Sequence, residues 1–354
     1  VELEKRKAMD WSELQGHDKQ QRWFQQALRK NRLASTFLFV GTSGIGKRTF
    51  ARLLAKTLMC QRHPPKEWHP CGQCPSCVQV EASTHPDLLE LSRPADRAVL
   101  TMEQIAGDRE HRGRSGLIFD LHLSSHYGHG KVAIIDDADT LHEESANALL
   151  KLLEEPPKGV TLFLIATSLQ KQLPTIRSRC QIVRFQDLSS STLANVLVQQ
   201  GLVASPDAIS ESRSLGTGSI EQWLEGAKEA TQTLLQELHR ILSTTPIDIV
   251  ALAKAILEYG ESGGKEGQEK RERMMRGVAI VAELFCSMAR ERVASVATQE
   301  RPTEGMLSRP SLSVPMALEA FHISLGAIEA MGRNVTPASV LESWAADLAL
   351  CCRA

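Results

Sequence analysis

Phe37-Leu-Phe-Val40 leads into Gly41-Thr-Ser-Gly44-Ile-Gly46-Lys47-Arg48-Thr49, which leads in turn into Phe50, Leu53, Leu54 and Leu58. The fold is read from this stretch. Four apolar residues end in a loop of three glycines and a lysine, and the loop ends in apolar residues at helical spacing. Gly41-x-x-x-x-Gly46-Lys47 between a strand and a helix is the P-loop arrangement. There Gly41, Gly44 and Gly46 let backbone N–H groups converge on phosphate oxygens at a helix N-terminus, and Lys47 reaches the outer phosphates. The residue after the lysine should be Ser or Thr, whose hydroxyl holds Mg²⁺; here it is Arg48. Arginine has a fixed positive charge and no acceptor, so it cannot ligate a cation. Thr49 comes one residue late, about 100° further around the helix.

A P-loop needs a second apolar strand ending in acid, and Val132-Ala-Ile-Ile-Asp136-Asp137 supplies it. Asp136 takes the place of the Mg²⁺-coordinating carboxylate. Asp137 stands where hydrolytic enzymes carry a water-orienting Glu, and is one methylene shorter. Taken alone, two acids after a buried strand need mean nothing more than its end; paired with the P-loop they mean a nucleotide site. Working outward, the pattern predicts a helix from Asp18 to Lys30, capped by Asp18, with Trp23, Phe24, Ala27 and Leu28 on one face. It predicts strands at Phe37–Val40, Leu88–Leu91, Val132–Ile135, Leu162–Ala166 and Gln181–Phe185. A helix at Ser145–Glu155 turns Ala146, Leu149, Leu150 and Leu153 inward and stops at Pro156-Pro157. Strands alternating with helices make an α/β fold with a parallel sheet covered on both faces. After Asp187 the pattern is helical, interrupted by Gly260–Gln268 and Arg301–Val314. Stripes such as Ile249, Leu252, Ala253, Ile256 and Val281, Leu284, Phe285, Met288 read as domain core. Gly107–His129 reads as an exposed polar loop. Its four histidines (His111, His122, His126, His129) match no compact ligand set.

The chain has 354 residues, 42% hydrophobic and 23% charged, enough for two or three domains and unlike a disordered chain. The longest apolar runs, such as Thr161–Ala166, fall far short of the roughly 18–20 residues of a membrane span. Val1–Asp10 lacks the apolar core of a secretion signal. The expectation is a cytoplasmic protein without a membrane partner. Forty-one basic against forty-two acidic residues leave a charge of −1, which argues against binding nucleic acid by bulk electrostatics and leaves a local patch open.

Eight cysteines need an account. Cys71, Cys74 and Cys77 form C-x-x-C-x-x-C, with Cys60 upstream, and the spacing suits a tetrahedral, structural Zn²⁺ closed to substrate. His63 or His69 could replace Cys60. A redox pair and plain free thiols are the competing readings; a redox pair should follow a strand, whereas this cluster follows a Pro- and His-containing loop.

The combination of Gly41–Lys47, the cysteine module, Thr84-His-Pro-Asp87, Lys131–Leu141, Ala146-Asn-Ala-Leu-Leu-Lys-Leu-Leu-Glu-Glu-Pro-Pro157 and Leu173-Pro-Thr-Ile-Arg-Ser-Arg-Cys180 resembles the AAA+ clamp-loader subunits of bacterial DNA polymerase III, in their delta-prime branch. The resemblance covers Asp10–Asp187. It implies an AAA+ P-loop domain over residues 10–186 with a zinc module at 60–77, a small helical lid at 187–229, and a helical collar at 230–354. It implies that Arg179 is an arginine finger reaching in trans to the ATP of a neighbouring subunit, and that Thr167, or Ser168 beside it, is a sensor. Motor subunits carry an arginine in a Gly-Ser-x-Arg motif, where this chain has Gly218-Ser219-Ile220-Glu221. The expected function is a non-hydrolysing stator in a hetero-pentamer with motor and clamp-opening subunits. Its own ATP site is weak or vestigial and its Mg²⁺ site degraded, and primed DNA is met through the complex along phosphates. An active clamp-loader motor, and a zinc-stabilised binding module of another replication or repair assembly, are the alternatives.

Overall fold

In the computed structural model, the residues described are 10–94, 99–108, 113–203, 218–244, 246–262, 267–298, 312–333 and 335–352. Every residue of Thr36–Val40 (β1) is buried, because β1 lies inside the sheet. It pairs in parallel with Val160–Ala166 (β4) on one side and Gln181–Arg184 (β5) on the other. Lys131–Ile135 (β3) joins β4, and Leu88–Leu91 (β2) joins β3, giving the parallel order β2-β3-β4-β1-β5. All five expected strands are present, with ends shifted by at most two residues.

Successive side chains of a strand point to opposite faces, and β1 sorts accordingly. Phe37 and Phe39 join Phe24, Phe50, Phe163 and Phe185 in one core; Leu38 and Val40 join Leu149, Leu153, Leu162 and Leu164 in the other. The helices of this unit are Asp18–Arg29 (α1), Lys47–Met59 (α2), Pro75–Glu81 (α3), Met102–Ala106 (α4), Leu117–His122 (α5), Glu143–Glu154 (α6), Pro174–Arg177 (α7) and Ser190–Gln199 (α8).

Three local expectations change. Asp18 is the first residue of α1 rather than its cap; His17 holds the cap position and makes no side-chain cap bond. Asp18 still lies favourably in the first turn, at the positive end of the helix dipole. Phe24 and Leu28 are buried, but Trp23 is 41% exposed, so the apolar face of α1 is narrower than its composition. The segment 107–129 is not all loop, because Leu117 and Leu121 bury one side of α5. His111 lies outside the described residues.

The chain divides into two compact units, Val1–Val196 with Gly218–Ile220, and Leu197–Thr217 with Glu221–Ala354. The second is helical among its described residues: Ile220–Gly226 (α9, whose first residue belongs to the first unit), Glu229–Leu242 (α10), Ile249–Glu261 (α11), Gly267–Thr298 (α12), Val314–Gly332 (α13) and Pro337–Cys351 (α14). Both stripes read as core pack in its interior, where Leu252, Ile256, Val281, Phe285 and Trp344 belong to one buried cluster. The interruption at 301–311 lies outside the described residues. Among the described residues one helix, α13, is long and apolar enough to cross a membrane by length and composition. Its Ala317, Ala320, Ala327 and Met331 are buried in the helical core, and Glu319 and Glu329 interrupt it.

Candidate functional site

The loop after β1 is held in shape by its surroundings. A Cβ at Gly41 would meet the Phe185 carbonyl at 2.5 Å, and Gly46 caps α2 at φ +99°, which a side chain would strain. The carbonyls of five successive residues are each engaged. Lys47 Nζ donates to Gly41 O (2.5 Å) and Thr42 O (2.6 Å), Ser219 Oγ to Ser43 O (2.6 Å), Ile220 N to Gly44 O (3.2 Å), and His17 Nε2 to Ile45 O (2.6 Å). Lys47 is only 5% exposed and folds back on its own loop. Burial lowers the pKa of His17, keeping the ring neutral and its Nε2 a donor. The roles of His17 and Ser219 escaped the sequence. A lone histidine before a helix carries no pattern, and Ser219 registered only as a neighbour of Glu221.

The metal side is built differently from the motif. Arg48 Nη1 lies 3.5 Å from Asp136 Oδ2, and its Nη2 lies 3.6 Å from Glu90. Arg52, one turn on, reaches Glu90 at 2.8 Å and donates to Val80 O at 2.7 Å. The carboxylate that should face Mg²⁺ therefore faces a guanidinium, and these residues do not fit a magnesium site. Burial raises the Asp136 pKa, with Arg48 and Lys47 pulling partly back. Asp137 is exposed, at φ +53°. Thr167 sits just beyond β4, where its N–H (2.5 Å) and hydroxyl (2.7 Å) both donate to Asp139 Oδ2. Gln172 donates to the other oxygen of Asp139 at 2.9 Å.

The cysteine module is a separate centre. The Sγ atoms of Cys60, Cys71, Cys74 and Cys77 all lie within 4.8 Å of one another, and those of Cys71 and Cys77 are 4.0 Å apart. Bonds of about 2.3 Å to a tetrahedral zinc would set sulfurs about 3.8 Å apart, so the set fits with little movement. Cys60 completes it rather than a histidine; His63 pairs with Glu67 at 3.1 Å. Backbone N–H groups of Cys71, Cys74 and Cys77 point at sulfurs of the set. Burial pushes the Cys71 thiol up, but donation from Gln73 and Cys74 outweighs it and brings the pKa to about 6; Cys77 is raised, by burial and by the neighbouring sulfur of Cys74. Four sulfurs this close repel as thiolates unless a cation joins them. The cluster can bind a metal such as zinc. All eight cysteines are free thiols.

Thr84-His-Pro-Asp87 anchors this module. Asp87 N donates to His85 Nδ1 (3.0 Å), which leaves His85 Nε2 to donate to Ser76 Oγ (2.8 Å), and Ser76 Oγ donates to Met59 O (2.7 Å). The Asp87 carboxylate accepts from Ser125 Oγ, His126 N and Tyr127 N, so it also holds the polar segment whose role the sequence left open. On the N-terminal side Trp11 stacks on Trp68 at 4.1 Å and donates to Thr57 Oγ1 at 2.9 Å.

Arg179 follows α7 on a fixed backbone. Its carbonyl accepts from Thr36 Oγ1 (2.8 Å), its N–H donates to Ile176 O (3.1 Å), and Cys180 beside it is buried. Burial pushes the Cys180 thiol to about 12, so it is unreactive. The guanidinium meets Glu154 through Nε (2.5 Å) and Nη2, and Nη1 donates to Thr175 O (3.0 Å) and Ser178 Oγ (3.1 Å). The structure therefore does not bring Arg179 to this chain's own P-loop motif. It gathers Gly41, Gly44, Gly46, Lys47 and Asp136 around one loop and the four cysteines around another point.

Compared with known proteins, residues 16–189 match the family model described as DNA polymerase III, delta subunit. The DNA polymerase III subunit delta' of Bacillus subtilis is 36% identical over 174 residues, 49% of this chain and 49% of its own. That of Pseudomonas aeruginosa is 35% identical over 147 residues, 42% of each chain. The tau/gamma subunit of Haemophilus influenzae is 35% identical over 207 residues, 57% of this chain and 28% of its own. The chain spans about half the length, or less, of these curated relatives. The P-loop motif thus sits in an α/β fold built on a five-stranded parallel sheet.

Proposed function

From the similarity of residues 16–189 to DNA polymerase III delta and delta' subunits, we propose that the chain is a clamp-loader subunit, a non-hydrolysing stator that lends Arg179 to the ATP site of a neighbouring subunit. One observation carries the first half. Arg48, standing in place of the magnesium hydroxyl, pairs with Asp136, the acid that should hold the metal. Hydrolysis needs that cation between the outer phosphates. A fixed guanidinium there supplies charge but no coordination and no activated water. The short Asp137, and Glu221 in place of a sensor arginine, weaken hydrolysis further. Lys47 and the engaged loop still offer a phosphate cradle.

The second half is supported by placement. Arg179 has a pinned backbone and a guanidinium at the surface, away from its own P-loop motif, as a residue acting on another subunit requires. A guanidinium at the neighbour's γ-phosphate stabilises the charge that develops as the phosphoryl group transfers, which ties hydrolysis to assembly. In this reading residues 10–186 are the AAA+ domain, 187–229 the lid and 230–354 the collar of a hetero-pentamer in the cytoplasm. The four cysteines hold a structural zinc, Thr167 is a sensor without a substrate, and primed DNA is met through the complex by phosphate contacts. A tau/gamma-like motor is the second reading, favoured by the 35% identity to such a subunit.

The test is ATPase assay of the chain alone and after reconstitution with tau/gamma-type subunits. The stator reading expects no Mg²⁺-dependent hydrolysis alone, stimulation on assembly, and loss of stimulation in Arg179→Ala. Hydrolysis by the chain alone that Lys47→Ala abolishes would establish the motor instead.

A further inference from the structure

We propose that Glu154 is a positioning residue for Arg179, gripping one edge of the guanidinium so that the other edge faces an incoming phosphoryl oxygen. The proposal rests on the reading of Arg179 as a residue acting in trans.

The argument starts from what is already fixed. The Arg179 backbone hangs from Thr36, the first residue of the strand that carries the P-loop, and the buried Cys180 follows it. Only the side chain is left to be aimed. Its two edges have partners of different kind. Nε and Nη2 meet the charged Glu154 carboxylate, while Nη1 meets two neutral oxygens, Thr175 O and Ser178 Oγ. Hydrogen bonds between two ionised groups are about twice as strong as neutral ones. A phosphoryl oxygen arriving at Nη1 therefore displaces the neutral acceptors and leaves Glu154 in place. A planar guanidinium held along one edge by a carboxylate keeps a fixed plane, and its end stays available for a second anion.

Glu154 is poorly placed for any purpose of its own helix. It is the last residue of α6, followed by Glu155 at the cap. Helix C-termini carry partial negative charge, so a carboxylate there is unfavourable for the helix itself. Its location is nonetheless rigid: Leu152 and Leu153 before it are buried, and Pro156-Pro157 after it prevent the helix from continuing. Among the described residues, the partner of its carboxylate is Arg179.

The experiment reconstitutes the full chain with tau/gamma-type subunits, the sliding clamp and primed DNA. It compares wild type, Arg179→Ala, Glu154→Ala, Glu154→Asp and the double variant Arg179→Ala/Glu154→Ala, reading kcat and KM for ATP together with the assembled fraction by size-exclusion chromatography. An exposed pair of this kind is worth a coupling that corresponds to a factor of about two to five. Glu154→Ala should lower kcat by about that factor with KM and assembly unchanged, Glu154→Asp should recover part of the loss, and adding Glu154→Ala to Arg179→Ala should cost nothing more. The proposal is overturned if Glu154→Ala leaves kcat unchanged or raises it, the latter meaning that the carboxylate competes with the phosphate. It is also overturned if the same loss appears in the Arg179→Ala background. If Arg179→Ala itself has no effect, the in-trans reading fails and this proposal with it; if Arg179→Ala is inactive and Glu154→Ala is normal, only this proposal fails.

Discussion

Asp87→Asn tests whether the Thr84-His-Pro-Asp87 segment is a structural staple. The Asp87 carboxylate accepts His126 N on Oδ1 at 2.8 Å, and Ser125 Oγ (3.0 Å) and Tyr127 N (3.1 Å) on Oδ2, in a residue only 2% exposed. Asparagine keeps the shape but turns one oxygen into an NH₂ group. Whichever way the amide is placed, that group faces a backbone N–H, of His126 or of Tyr127. The Ser125 hydroxyl can rotate and accept; a backbone N–H cannot. One buried donor is orphaned, at about 1–3 kcal/mol, and the surviving bonds lose their charge assistance, for a total of about 2–4 kcal/mol. With a urea slope of about 2 kcal/mol/M, the unfolding midpoint should fall by about 1–2 M without a change in slope. Amide hydrogen exchange should show lost protection at His126 or Tyr127. The pH dependence has a definite sign. Burial raises the Asp87 pKa, but the three hydrogen bonds outweigh it and the folded value lies below the ordinary 3.8. The carboxylate therefore contributes fully above pH 3.8 and its contribution is lost as pH falls below that. The gap between wild type and variant should be constant from pH 5 to 8 and close toward pH 3. A midpoint shift worth less than about 0.5 kcal/mol at pH 7, or a gap that widens in acid, would refute the staple.

Arg48→Thr restores the missing hydroxyl and releases Asp136; fluorescent-nucleotide titrations should show Mg²⁺-dependent binding in the variant and none in the wild type, and equal Mg²⁺ dependence in both would remove Arg48 from the argument. Metal analysis of the purified chain should find zinc, which Cys74→Ser loses along with thermal stability; a wild-type protein free of metal whose melting is indifferent to chelators would count against the module. Burial raises Glu283 to about 7, with Arg290 pulling partly back, so its contribution to stability is intact below the ordinary 4.5 and is lost as pH rises through about 7. Glu283→Gln should accordingly stabilise the helical unit at pH 8 and leave it unchanged at pH 4, as read by thermal melts at the two values.

The sheet was legible because its strands are short and bounded by turn residues, and because the three inner strands β3, β4 and β1 are buried on both faces and so leave nearly continuous apolar runs such as Phe37-Leu-Phe-Val40; the edge strands β2 and β5 are less buried. Helix ends were legible where a stop is covalent, as at Pro156-Pro157. They were not where the stop depends on neighbours: Asp18 looks like a cap, but His17 takes that position and turns its ring to Ile45. Trp23 belongs to the apolar stripe of α1 by spacing yet is largely exposed, since spacing records a direction and not what lies along it.

By itself the sequence determined the chemistry that a residue type permits or forbids. Arg48 cannot ligate a cation in any fold, four cysteines at this spacing suit a metal, and three glycines before a lysine allow a phosphate loop. Only the tertiary structure decided which groups answer one another across the chain: Arg48 with Asp136, Cys60 with the three later cysteines, Asp87 with residues 125–127, and Arg179 with Glu154. These pairs are 88, 11 to 17, 38 to 40 and 25 residues apart. No local periodicity spans such separations; the partners meet because buried strands and helices bring their ends together, and a group buried there, as Asp87 and Cys60 are, must then be matched by whatever the fold has placed beside it.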